Sequence, residues 1–500
     1  MNNYGGVSLN DYAQTGNGYG SASFNDVQEL NKALEATNLR GGASEGLSTV
    51  SGAPLKVESL EQTLKVVTYT MKNIVLWKDM PILPAYNTVE EYNRLSEYGS
   101  DGGGFYSEGE LPQEDDSSYS RHSELVKYLG NTRIITHPMT LVNSVGGSVI
   151  QREIQNGTLW ILKKVERGLF FANSNLVPEQ FNGFFEQQES FFGSLKQAID
   201  AGSVIDLRGK SMTEAAIEQG CEQVIENFGV ASDLYWATSA GRDYNKQFYP
   251  RQRVPVPTGQ NLVSGGQYTG FQSQSGLVKF HPDVFLNQQK PKNASTNATS
   301  SKAPSRPLSG GTPVAAVAPV AVNTKFAVAD AGDYRYAVTG VNKFGESSLR
   351  TLNPVAVSVV SSGAVDLEFT DGGGTEKATS FRIYRTKLGD ASVSPNYYPL
   401  FDVSAQNVVD GYNGGAAGKI RDLNYFLPGT TQAFLPERDT EVLSVKQLAP
   451  LMKMDLAVIS PAIRFMILLY ITPLLYAPKK MVRYINVGSD SDPAINALIA

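Results

Sequence analysis

A single cysteine, Cys221, in 500 residues leaves no partner for an intrachain disulfide, so folding needs no oxidising compartment. Histidine is almost as scarce. His122, His137 and His281 are scattered without metal-ligand spacing, and surface or hydrogen-bonded roles suit them better than a zinc site. There is no block of positive charge: 43 Lys and Arg face 49 Asp and Glu, a formal net charge of −6. A chain that grips nucleic acid directly would carry a basic stripe, and none is written here. Long apolar runs are missing too. The longest, FMILLYITPLLY (465–476), is broken by Pro473 and preceded by Arg464. Spanning a bilayer takes about 20 residues, so this run predicts a buried core strand and no membrane association. The opening MNNYGGVSLNDYAQTGNG has neither a basic nor an apolar stretch of the secretory kind. The chain is expected to be made in a cytosol and to stay soluble.

What is present is a globular composition: 41% hydrophobic, 18% charged, with 47 Gly, 24 Tyr and 22 Phe, enough for two to four domains rich in strands and turns. Residues 1–52, rich in Gly, Asn and Ser, predict an arm that is flexible by itself and ordered against a partner. In 55–77, apolar residues at 57, 60, 64, 67, 71, 74 and 75 share one helical face, and Pro81 and Pro84 end the helix. From 85 to 136 the texture changes, and between Glu97 and Glu124 acids crowd around one cation, Arg121. There ELVKYLGNTRIIT (124–136) predicts two strands turning at Gly130-Asn131, which makes the region a long, exposed, acidic hairpin.

Residues 146–174 predict the longest helix, with Ile150, Ile154, Ile161, Val165 and Leu169 on one stripe. Arg152, Lys163, Lys164 and Arg167 lie opposite, and Gly157-Thr158 invites a bend. In 211–229 a second helix is expected, capped by Ser211 with Glu214 and closed by Gly229, with Ile217, Cys221, Val224, Ile225 and Phe228 on its stripe. Short strands follow at 233–239, 268–276 and 277–286. Residues 287–311, rich in Pro, Ala, Ser and Thr, read as a linker. From 312 to 425 the texture is that of a β-sandwich. YRYAVTGVNKFGESSLR (334–350) alternates and then turns, and TSFRIYRT (379–386) alternates again. The first texture returns in 426–500, so 312–425 is an insertion into a discontinuous body (53–286 and 426–500).

No catalytic constellation assembles. GSVIDLRGKS (202–211) imitates a phosphate-binding loop, but six residues separate Gly202 from Gly209 where the pattern needs four. Cys221 lies on an apolar helical stripe, where a thiol is inert. A glycan hydrolase would need paired carboxylates beside an aromatic cleft. The acidic run 108–116 suits a solvated face or a basic partner better than a metal. No cofactor is expected, and the chain is read as a non-enzyme.

Taken in order, these elements resemble the major capsid protein of tailed bacteriophages, the Hong Kong 97-like fold. EGELPQEDDSSYSRHSELVKYLGNTRIIT looks like the two strands of its extended loop. FGVASDLYWATSAGRDYNKQF, SGLVKFHPDVFL and LLYAPKKMVRYINVG look like its later phrases. The resemblance implies an α+β fold with an N-terminal arm, extended loop, spine helix, and peripheral and axial domains. YRYAVTGVNKFGESS and TSFRIYRT resemble an immunoglobulin or fibronectin type III module. Such a chain would be a structural protein of the virion, assembled in the host cytoplasm. Its partners would be its own copies in pentamers and hexamers, with portal and scaffold proteins. A decoration protein or host glycan would meet the inserted module, and DNA would be enclosed without sequence-specific binding. Inter-subunit contact is expected between Glu108, Glu114, Asp115 and Asp116 of the hairpin and Arg152, Lys163, Lys164 and Arg167 of the long helix. The alternative is a tail, baseplate or adhesin protein that binds glycans through the module.

Overall fold

The computed structural model describes residues 69–99, 104–111, 113–142, 148–248, 268–287, 290–318, 323–457 and 460–489. The arm and most of the helix expected over 55–77 lie outside them. What is described of that helix is not continuous. A 3₁₀ turn, Met71–Asn73, is followed by a short helix, Leu76–Asp79, and Ile74 and Leu76 drop into the core between and within them.

Two sheets and one long helix build the body, giving mixed α and β content. The first sheet runs in the order Ile82–Pro84, Leu443–Asp455, Ala462–Leu475, Lys127–Thr136. The apolar run 465–476 is its central strand, with Phe465, Ile467, Leu469 and Ile471 facing inward at period two. Over that face lies the helix Val149–Phe171, whose 23 residues measure about 35 Å. Ile161, Val165 and Leu169 are fully buried there, whereas Ile150 and Ile154 are only half-buried. The helix passes through Gly157 unbroken. A Cβ at that position would stand 2.5 Å from the Ile467 side chain, so glycine serves close approach to the sheet.

The expected turn at Gly130-Asn131 is corrected. Lys127–Thr136 is a single strand, and both residues sit in register opposite Leu468 and Ile467. Ten consecutive pairings with a strand more than 300 residues away outweigh a local turn preference. The hairpin is instead formed by Val89–Glu97 and Ser118–Leu125.

A six-stranded sheet runs in the order Val204–Asp206, Met481–Val487, Thr431–Pro436, Asp233–Ala237, Gly276–Asp283, Gly270–Ser273. The helix Glu214–Glu226 packs on it through Ile217, Cys221 and Val224, while Ile225 and Phe228 stay exposed. Its cap is Thr213, whose hydroxyl accepts from Ala216 N at 3.3 Å, and not Ser211. Met212 is fully buried and pins the chain just before Thr213, so the first turn starts later than the spacing suggests. At the other end the left-handed residue is Phe228 rather than Gly229.

Residues 290–425 form the β module. Leu308–Val317, Ala364–Thr370 and Lys419–Asp422 make one antiparallel sheet. Tyr336–Asn342, Ser380–Arg385 and Tyr398–Ser404, with short strands at the edge, make the other. Val365, Leu367 and Phe369 from the first close over Tyr336, Val338, Phe381 and Ile383 from the second. The turn seen in the sequence is a two-residue loop between Asn342 and Gly345. The Asn342 side-chain oxygen accepts from Phe344 N and Gly345 N.

The stretch 287–311 does not behave as a linker in its described part. Leu308–Val317 is already a strand. Ahead of it, Lys292 exchanges backbone hydrogen bonds with Tyr397, and Thr299 N donates to Glu346 O at 2.9 Å. Tyr336–Asn342 is buried on both faces, and these residues help cover the second, where Ala337, Leu349, Tyr384 and Tyr397 form a small core. Low apolar content hid a segment that docks mainly through its backbone.

Candidate assembly surface

At its base the hairpin is held to the body by directional bonds. Arg94 Nε donates to Tyr476 O at 2.7 Å, Tyr92 Oη donates to Leu475 O at 3.2 Å, and the Tyr92 and Tyr476 rings meet edge to face at 4.9 Å. Asn182 donates to Glu124 at 3.0 Å from the neighbouring loop. Beyond this base the hairpin is solvated. Tyr98, Phe105, Tyr106 and Leu111 are each more than 60% exposed, and Phe105 is fully so. Glu108, Glu114, Asp115 and Asp116 are exposed among them. A two-stranded ribbon is marginal in water, and this one exposes aromatic rings beside carboxylates. Arg121 makes an exposed pair with Glu91 at 3.7 Å, which adds little, and its Nε donates to Asn93 Oδ1 at 3.4 Å.

The four cations of the long helix do not form one strip. Lys163 Nζ sits over the Tyr69 ring at 4.8 Å, and Lys164 over Trp160 at 5.5 Å. Arg167, exposed, lies in the field of Arg382, Asp402 and Glu346 of the module. Arg152, half-buried, stands a helix half away from them. Among the described residues, Glu108, Glu114 and Asp116 make no ion pair with Lys163, Lys164 or Arg167 of the same chain. Those three acids and those three cations are therefore not brought together within one subunit.

Two charged assemblies escaped the sequence reading because their members are far apart in the chain. At the seam between module and body, Arg208 (φ 47°) donates to Asn424 O at 2.8 Å and Lys325 O at 2.9 Å, and pairs with Asp330. Lys343 pairs with Glu179 at 3.1 Å, and the Asn486 side chain accepts from Leu427 N at 2.8 Å. The loop that imitates a phosphate site is thus a docking loop. Within the body, His281 Nε2 lies 2.8 Å from Asp233 and its ring stacks on Tyr235 at 4.8 Å. Arg438 reaches Asp233 at 3.1 Å and Asp79 at 3.6 Å. Burial would push Asp233 up, but His281, Ser232 and Arg438 together hold it below the usual range. Cys221 is fully buried, and burial pushes its thiol up. Among the described residues no three acids, histidines or cysteines group as metal ligands, and no helix is long and apolar enough to cross a membrane.

No family model matches the chain. It is similar along most of its length to phage capsid proteins. The major capsid protein of Staphylococcus phage S25-3 is 24% identical over 444 residues, 88% of this chain and 91% of that protein. That of Staphylococcus phage K matches to the same extent. A relative from Enterococcus phage phiEF24C is 25% identical over 455 residues, with the same shares covered. The uncovered eighth of the chain is far shorter than residues 290–425, so each match extends into the module. Solved structures that overlay on the chain include the capsid of a native GTA particle (7% identical, 89% of this chain and 99% of that one, TM-score 0.44). Another is Mycobacterium phage Adephagia (9% identical, 90% and 100%, TM-score 0.39). The similarity to the Staphylococcus phage proteins is to structural components of capsids, and it favours that class over a tail, baseplate or adhesin protein.

Proposed function

We propose that this chain is the major capsid protein of a tailed phage, with a Hong Kong 97-like fold. Its copies would self-assemble as pentamers and hexamers into the icosahedral head that encloses the DNA. The observation that carries the reading is the match to phage major capsid proteins over 88% of the chain. The hairpin supports it, being fixed at its base and exposed at an apolar, acidic tip that a neighbouring copy would cover through Arg152, Lys163, Lys164 or Arg167. Net charge supports it as well: a subunit at −6 can enclose DNA without gripping it. The module is read as an immunoglobulin-like domain on the outer surface, open to a decoration protein or a host glycan. Portal and scaffold proteins would complete the assembly in the host cytoplasm. Sedimentation and electron microscopy of the purified chain, with and without a co-expressed scaffold, test the reading. Closed shells or rings of five or six are expected, and a compact monomer under every condition would overturn it.

A further inference from the structure

Glu166 on the long helix is fully buried and accepts three backbone N–H groups from one turn of chain. Val75 N and Leu76 N reach Oε1 at 2.8 and 2.7 Å, and Trp77 N reaches Oε2 at 2.9 Å. These are the donors that the short helix Leu76–Asp79 leaves unpaired at its start, so the carboxyl holds this segment from its N-terminal side. Beside it is a second carboxyl, Asp283, also fully buried. Asp283 Oδ1 accepts from Phe285 N at 2.7 Å, but among the described residues no donor reaches Oδ2. The Asp283 carboxyl is within hydrogen-bonding reach of the Glu166 carboxyl. Two buried carboxylates in contact repel, and an acceptor with no donor is costly in the core. A single proton between them resolves both problems.

We propose that Glu166 and Asp283 share one proton, and that this proton latches the segment Val75–Asp79 onto the long helix so that the latch loosens as pH rises. The surrounding charges leave the pair uncompensated. On the helix, Lys163 is turned to the Tyr69 ring, and Arg167 faces the module. On the segment, Lys78 donates to Met71 O, and Asp79 accepts from Tyr235 Oη at 3.1 Å while facing His281 and Arg438. On the strands, His281 is engaged with Asp233, and Arg133 pairs with Glu153 at 3.4 Å. Among the described residues no cation acts on Asp283, and burial followed by the charge of Glu166 pushes it up to about 8. With the folded value raised, the proton's contribution is complete below the ordinary carboxylate range. It is lost progressively as pH climbs to about 8, when the pair would carry two charges and the segment is freed.

Hydrogen exchange read by mass spectrometry on the 74–79 peptide of the full chain tests this from pH 6 to 9, after correction for intrinsic exchange. Protection in the wild type should fall by up to about tenfold per pH unit and level off above pH 8. Asp283→Asn, whose amide donates to Glu166 without titrating, should keep a flat profile. A flat wild-type profile, or the same slope in both chains, overturns the proposal. Should the variant fail to fold, infrared difference spectra decide. They are taken in a Glu186→Gln background, because burial and then Glu189 push Glu186 up to about 7. Loss of a protonated-carboxyl band between pH 6 and 9 is expected, and an unchanged carboxyl region refutes the shared proton.

Discussion

Glu346 is the residue on which the module's second face turns. Its carboxylate accepts from Thr339 Oγ1 at 2.6 Å and from Tyr384 Oη, pairs with Lys292 at 2.7 Å, and lies 3.7 Å from Arg382. Burial works against the charge, but Arg382 and Lys292 more than offset it and hold the group down at about 2. A carboxyl lowered in the folded state stabilises the fold above the ordinary carboxylate range, and that contribution is lost as pH falls from about 4 to 2. Glu346→Gln should therefore cost about 2–3 kcal/mol at neutral pH, and the difference from the wild type should shrink as pH falls through that window. Thermal melts of the two proteins between pH 7 and 2.5 measure it; a constant difference would mean that packing, not charge, is what the substitution removes. Sequence reading passed over Glu346 because Lys292, Thr339, Arg382 and Tyr384 are joined only by the pairing of Tyr336–Asn342 with Ser380–Arg385 and by the docking of 290–307.

At the scale of elements, the hairpin Val89–Glu97/Ser118–Leu125 separates two roles. Its base is part of the body through Arg94 and Tyr92, and its tip touches solvent. Replacing Glu114, Asp115 and Asp116 together by Lys should leave the melting profile within about 0.5 kcal/mol of the wild type, since all three are exposed. Assembly into shells should fall sharply in the same variant, and the wild type itself should assemble less well as added salt screens the contact. Sedimentation velocity of both proteins reads this directly, and normal shell yield from the triple variant would reduce the acidic run to a solvated surface. The long helix was legible because 3.6-residue periodicity over more than six turns is a strong signal. The hairpin's pairing was not. Alternation in 124–136 identifies a strand but does not name its partner, and the partner of Lys127–Thr136 is Ala462–Leu475.

For the whole molecule, the module's independence of the body is the open structural variable. It has its own core between two sheets and brings its own cover in residues 290–307. Expressed alone as 290–425, it should melt in one cooperative transition followed by circular dichroism. Its polar ties to the body include Arg208 to Asp330 and Lys343 to Glu179, which become solvated when the module is removed, while Phe426, outside the excised range, packs on both the module core and the body cluster of Ala198, Val204 and Ile485. Replacing 290–425 by a short Gly/Ser bridge should therefore leave a body that folds and still builds shells. Shells absent from a folded deletion chain would make the module part of the lattice rather than a displayed domain.

The sequence by itself determined the class of each segment: an alternating core run at 465–476, an amphipathic helix within 146–174, an apolar stripe around Cys221, a β module from residue 312. Each of these rests on periodicity within one stretch, and periodicity reports which face is buried. Only the tertiary structure decided what lies against that face. It joined Gly130 to Leu468 and not to a turn, laid the Pro-rich segment 290–307 over the module, and brought Glu166 to Asp283 across more than a hundred residues. Those outcomes depend on contacts between distant segments, whose energies are fixed by packing and desolvation after the chain has closed on itself, and no local pattern encodes them.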